Sequence, residues 1–209
     1  LYGVYPLKGK ILNTMNKDVN DAVKNTEILD LIHILNLDPK KEYDPDSIRK
    51  LPFHNVIILT DQDFDGFHIC GLLTVFFQRF FPSLLQHRPT FLRRFFTPIV
   101  KAKDPVNKQL KSFFSMQTFK EWQAVHKSKE CNYYKGLGTS SDREAIEYFS
   151  NLDLHTADFV FESEACHNRL TQWFCDKRSP KRTETIGLIS FLRNSWRRCD
   201  RSILSIFLI

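Results

Sequence analysis

Three aspartates at alternate positions, Asp61, Asp63 and Asp65, stand in the run Thr60-Asp61-Gln62-Asp63-Phe64-Asp65-Gly66, directly after the apolar stretch Val56-Ile57-Ile58-Leu59. Carboxylates this close repel one another: two unit charges about 4 Å apart cost roughly 4 kcal/mol at an effective dielectric near 20. Without a counter-ion one acid takes up a proton or swings away, and a hard divalent cation relieves the repulsion. Asp-x-Asp-x-Asp-Gly is also how an EF-hand calcium loop begins, but the twelfth position counted from Asp61 is Leu72, where that loop needs a bidentate Glu. Magnesium suits the triplet better, because it keeps several waters and takes one or two carboxylates beside a substrate phosphate. The competing reading is a solvated acidic turn in which Asp65 sits at the positive end of the following helix. The acids alone do not separate these two.

The elements around the triplet must place it at a sheet edge for either chemistry to matter. The β-branched run Val56 to Leu59 has the pattern of a strand buried on both faces, and open α/β sheets carry their sites just past the carboxyl ends of such strands. Gly66 to Leu85 then reads as a long apolar helix interrupted near Pro82. Strand, acidic loop and helix in direct order imply α/β architecture.

Upstream, Asp18 is expected to cap one helix ending near Leu37, on the spacing of Val19, Ala22, Val23, Ile28, Leu31, Ile32 and Leu35, and Lys40 to Pro52 reads as a loop. Downstream, Thr97 to Lys103, Lys111 to Met116, Cys131 to Tyr134 and Ala157 to Glu162 read as strands. Capping-box pairs Thr118 with Glu121, and Ser141 with Glu144, open helices reaching His126 and about Leu152.

Two glycine-containing basic segments are the other candidates for chemistry. Lys8-Gly9-Lys10 combines close backbone approach with two ammonium groups, which is what phosphate contact requires, although a solvated basic turn has the same composition. Lys135-Gly136-Leu137-Gly138-Thr139-Ser140 is not a nucleotide-binding P-loop, because its Lys precedes the glycines. A glycine-rich turn entering a capped helix still offers free N–H groups to an anion.

The 209 residues, 42% hydrophobic and 26% charged, suffice for one core-bearing domain, and the net charge of +6 suits a polyanionic partner without demanding one. Five cysteines without a Cys-x-x-Cys pair suggest neither a disulfide framework nor zinc, and Cys166, His167 and Cys175 lack zinc-ligand spacing. The apolar run Ile203 to Ile209 is too short to span a bilayer, so a soluble intracellular protein with no membrane partner is expected. The opening on Leu1 suggests a piece of something longer.

Thr60 to Gly71, with Pro6-Leu7-Lys8-Gly9-Lys10-Ile11-Leu12-Asn13 before it and Tyr133-Tyr134-Lys135-Gly136-Leu137-Gly138-Thr139-Ser140 after it, closely resembles the TOPRIM region of eukaryotic-type and viral type II DNA topoisomerases. The similarity runs from about Leu1 to Glu184 and includes Thr97-Pro98-Ile99-Val100. It implies an α/β fold with a TOPRIM-like, mostly parallel sheet flanked by helices and a divergent C-terminal tail, as a part of the DNA cleavage and religation core of an ATP-hydrolysing isomerase. Asp61 and Asp63 would be direct Mg2+ ligands, with Asp65 a third supporting acid. Lys8, Lys10, Asn13, Lys135 and, by a looser match, Arg182 would touch the backbone of double-stranded DNA. His68 would be a supporting group, interacting with the scissile phosphate or orienting an acid, while a packed histidine is the plain alternative.

The resemblance further implies a partial TOPRIM domain over residues 1–155 lacking an N-terminal Glu motif, a connection toward the DNA-cleavage domain over 156–184, and an unassigned basic and apolar tail over 185–209. ATP would act only through a domain outside this chain. The parent would be a homodimer in the nucleus, or in a viral factory or cytoplasm if viral. Departures are Phe64 and Phe67, where small or polar residues are common, and Cys70, where a basic residue is usual. A non-catalytic remnant with weak DNA binding and another TOPRIM enzyme, a primase or nuclease, are the alternatives.

None of the six tyrosines, Tyr2, Tyr5, Tyr43, Tyr133, Tyr134 and Tyr148, follows an Arg as the nucleophile of the resembled family does. The 209-residue chain is therefore expected neither to cleave nor to relax DNA by itself. Relaxation of supercoiled plasmid by the purified chain would contradict this.

Overall fold

The structure, a computed structural model, describes residues 3–134, 138, 140–160, 164–175, 196–198 and 207–208. Its central sheet has six strands. In chain order these are β1 (Val4–Tyr5), β2 (Val56–Ile58), β3 (Leu92–Phe95), β7 (Thr156–Phe159), β8 (Trp196–Arg198) and β9 (Phe207–Leu208). Across the sheet they run β1-β9-β2-β3-β7-β8, parallel from β1 to β3 and antiparallel from there to β8. The expected strand at Val56 is β2, buried at every position as an apolar run predicts. The expected boundary at 155 falls just before β7, which pairs with β3 in this sheet, and the described parts of the tail, β8 and β9, also add to it.

Helix α4 (Phe64–Phe80) packs its apolar face beneath the sheet and ends at Phe81, where Pro82 opens α5 (Pro82–His87). Proline is accommodated at that first position because its missing N–H has no helical partner there. Phe76 meets Phe77 and Phe81, and Phe77 meets Phe91, edge to face in this core, with ring centroids 5.0 to 5.7 Å apart. Such pairs contribute about 0.5–1.5 kcal/mol each beyond their burial.

Several elements differ from expectation for local reasons. The helix foreseen from Asp18 is two helices, α1 (Val19–Ala22) and α2 (Thr26–Ile34), because the Asn25 side chain accepts the Ile28 N–H and starts a second N-terminus. The segment read as loop contains α3 (Pro45–Arg49), opened by a capping box between Asp44 and Ser47. Ser115, not Thr118, caps α6 (Met116–His126), while the Thr118 hydroxyl bonds back to the Ser115 carbonyl. The strand β3 was not foreseen, and neither was α9 (Glu164–Phe174).

A second sheet of three antiparallel strands has order β5-β4-β6, from β4 (Val100–Lys103), β5 (Leu110–Phe113) and β6 (Cys131–Tyr133). With α6 it encloses a small core of Val100, Ala102, Phe113, Phe119 and Trp122. Helix α7 (Asp142–Ser150) follows, opened by the expected capping box of Ser141 and Glu144, and a short α8 (Leu152–His155) leads into β7. Among the described residues no helix is long and apolar enough to cross a membrane.

Helix α9 crosses α4 at Gly71, where a built Cβ would overlap the buried Phe174 ring. Gly71→Ala is expected to force the two helices apart and destabilise the chain by about 1–3 kcal/mol. Urea denaturation of the variant against the parent measures the difference.

Candidate metal and phosphate site

The acidic loop bridges β2 and α4, and its shape is set by two local devices. Asp63 is the N-cap of α4: its Oδ1 accepts the Gly66 N–H at 2.8 Å, and its carbonyl accepts the Phe67 N–H at 3.1 Å. Gly66 is required, since a Cβ there would strike the Asp61 carbonyl oxygen, which lies directly against it. Beneath this contact the Thr60 hydroxyl donates to the Gly66 carbonyl at 3.2 Å and meets the Cys70 Sγ at 3.4 Å. Asp61 and Asp63 are left exposed at the head of α4. The cap therefore comes from Asp63, whereas the solvated-turn reading placed Asp65 at the dipole; Asp65 does lie in the first turn.

Asp65 is paired with Lys10 at 2.8 Å, both side chains at least half exposed. That hydrogen bond and the ammonium charge hold the Asp65 carboxyl below the usual carboxylate range. Lys10 sits just past Gly9, whose φ of 150° favours glycine, in a turn held by the Lys8 N–H donating to Glu27 at 3.1 Å. Lys8 is exposed. Asn13 is engaged at both ends of its amide, donating to the Phe174 carbonyl at 2.7 Å and accepting the Met15 N–H at 3.1 Å. His68 stacks on Phe174 with centroids 5.8 Å apart and planes 12° from parallel. Burial and the Lys10 charge push its pKa down, with Asp65 opposing, so the ring is mainly neutral at pH 7.

Lys10, Asp65 and His68 thus share one edge with the exposed Asp61 and Asp63. Lys135 and Arg182 lie outside the described residues. The approaches to the glycine-rich segment are described, however, and converge on one carboxylate that sequence reasoning treated only as a cap. Glu144 accepts the Tyr134 hydroxyl at 2.6 Å, the Ser141 N–H at 2.9 Å and the Lys101 ammonium at 2.9 Å. Lys101 is buried on β4 and also reaches Glu147 at 3.5 Å. Burial opposes ionisation of Glu144, but the bonds from Tyr134, Ser141 and Lys101 outweigh it and bring its pKa down to about 2.

Among the described residues no three His, Cys, Asp or Glu side chains form a group able to cage a metal ion. Two exposed carboxylates at a helix head, with the rest of the shell left to water and phosphate, fit magnesium rather than a cation that needs a full set of protein ligands. The first turn of α4 also supplies a positive dipole end beneath a phosphate.

Residues 95–195 match the C-terminal associated domain of TOPRIM. The chain is 42% identical over 201 residues to human DNA topoisomerase 2-alpha and 46% identical over 166 residues to Arabidopsis thaliana DNA topoisomerase 2, alignments covering 94% and 78% of it. It spans 13% and 11% of those relatives' own lengths. The solved DNA-binding, cleavage and re-ligation domain of Plasmodium falciparum topoisomerase II superposes with a TM-score of 0.75 at 39% identity, covering 85% of this chain and 24% of that one.

Because the Glu144 pKa lies below its ordinary 4.5, its bonds stabilise the fold fully above about pH 4.5 and are lost as pH falls through about 2. A loss of up to about 3 kcal/mol over that interval is expected in the parent. Urea midpoints measured against pH should show a shallower fall for Glu144→Gln.

Proposed function

The chain belongs to the type II DNA topoisomerases of eukaryotic type, and on that premise we propose that it forms part of the DNA cleavage and religation core of an ATP-dependent type II enzyme. The observation carrying this reading is the shared edge on which Asp61 and Asp63 stand exposed at the head of α4 while Lys10 reaches Asp65. Phosphate-directed cation and metal-directed acids then meet the same DNA backbone.

The reaction is a transesterification, in which a tyrosine from another part of the enzyme attacks a backbone phosphate and the step later reverses. Asp61 and Asp63 would hold Mg2+, with Asp65 as a third acid beside them, and the ion would supply stabilisation of charge developing on the phosphate and the leaving 3′ oxygen. Lys8 and Lys10 neutralise the backbone, with Lys135 and Arg182 as further phosphate contacts and Asn13 steadying the strand. His68, neutral and fixed by Phe174, orients Asp65 or donates to the phosphate. Residues 1–155 act as a partial TOPRIM unit, 156–184 lead toward the cleavage domain, and 185–209 are a basic and apolar tail whose described strands join the central sheet. The working protein is a nuclear homodimer on double-stranded DNA.

Calorimetric titration of the chain with Mg2+ is expected to show saturable binding that weakens at least about tenfold in Asp61→Asn/Asp63→Asn. Equal heats from parent and variant would overturn the metal assignment. DNA affinity should be sequence-tolerant and fall steeply with salt, with a shallower slope in Lys8→Gln/Lys10→Gln. Salt-independent binding would contradict the phosphate contacts.

A further inference from the structure

Alternation along β3 sends Arg93 and Arg94 to opposite faces of the central sheet. Arg93 meets Asp158 on the neighbouring β7 at 2.7 Å, a strand-to-strand ion pair. Arg94 turns the other way, fully buried, and brings its guanidinium to 3.6 Å from the centroid of the Phe67 ring, with Phe96 at 5.0 Å. Phe67 belongs to the first turns of α4, directly after the acidic loop. From this seat the Arg94 Nη2 reaches the Asp61 carbonyl at 3.5 Å and the Gln62 Oε1 at 3.4 Å. The Gln62 amide in turn donates to the Phe95 carbonyl at 3.3 Å, so side chain and main chain of β3 grip the loop together.

We propose that Arg94 is a positioning residue for the metal site, clamping the Asp61 main-chain carbonyl and the Gln62 side chain from beneath through its seat on Phe67. The proposal rests on the reading that the acidic loop binds Mg2+. The geometry gives three reasons for it. The guanidinium contacts the loop's backbone and Gln62, so it fixes direction without consuming an acid that the metal needs. It places a buried cation directly against the main chain of Asp61, one of the two acids assigned to the metal. Helix α4 supplies no such charge itself, its one Lys or Arg being Arg79 in the last turn. A planar guanidinium can lie on the Phe67 ring while its Nη2 donates to two acceptors, whereas an ammonium has no plane to stack.

The test compares the chain with Arg94→Lys, which keeps the charge and gives up the stacked plane, and with Phe67→Leu, which removes the ring but keeps apolar bulk. Three readouts are taken on each: the urea midpoint, amide hydrogen exchange of residues 60–66, and the Mg2+ dissociation constant. Exchange in the loop should quicken about tenfold while protection in β2 and the body of α4 holds. Mg2+ affinity should weaken about 10- to 100-fold in both variants. Unchanged loop exchange in a folded variant overturns the proposal, and so does faster exchange with unchanged Mg2+ affinity. Should Arg94→Lys fail to fold, Phe67→Leu decides by the same criteria. If the parent shows no Mg2+ binding sensitive to Asp61→Asn/Asp63→Asn, the metal reading fails by itself, and the positioning role falls with it even where the exchange data establish a clamp.

Discussion

The contact between the Asp61 carbonyl and the bare α-carbon of Gly66 is the constraint from which the site follows. Because nothing projects from Gly66, the loop leaving β2 can fold back onto the first turn of α4 within five residues. Asp63 then caps the helix through Gly66 N–H, and the cap in turn fixes where Asp61 and Asp65 stand. The buried side of the same turn is tied by Thr60 and gripped by Arg94, while Asp61, Asp63 and Asp65 stand on its exposed side. A turn shaped this way presents negative charge at a place where the helix dipole favours negative ligands, so acids and phosphate both find reason to gather there.

Charge at this edge is shared rather than idle. Lys10 holds Asp65, Glu27 holds the Lys8 backbone, and Phe174 holds both His68 by stacking and Asn13 through its carbonyl. Helix α9 is thereby part of the site although it carries none of the residues assigned to metal or phosphate. Its fit over Gly71 decides how close Phe174 comes, so packing between α4 and α9 sets the position of groups that face solvent. The exposed Lys10–Asp65 pair is individually weak, as surface pairs are, and can exchange partners when phosphate and a divalent ion compete for its two ends.

Much of this was legible in the residues. The β-branched run at Val56, the proline stop at Pro82 and the Ser141–Glu144 box each reflect a strong local rule, and each appears in the structure. The strand β3 was hidden because Leu92-Arg93-Arg94-Phe95 breaks the apolar run expected of a buried strand. Its arginines are accommodated by partners distant in sequence, among them Asp158 and Phe67. Helix α3 had a readable signal that was passed over, since Asp44-Pro45 with Ser47 is an N-cap followed by proline at the first helical position. The split between α1 and α2 turned on one asparagine whose side chain competes with helical continuation. At the site, the acids and Lys10 were legible in type and spacing and His68 in the family resemblance, whereas Arg94 and the hub at Glu144 depend on tertiary contact.

The central claim is that the loop from Asp61 to Asp65 binds a divalent cation at the DNA-facing edge. Paramagnetic Mn2+ added to the isotopically labelled chain tests it most directly. The account predicts selective broadening of the amides of Asp61 to Gly66, extending to Lys10 and His68 and reversed by excess Mg2+. Broadening that is absent from the loop, or that Mg2+ does not displace, would contradict it.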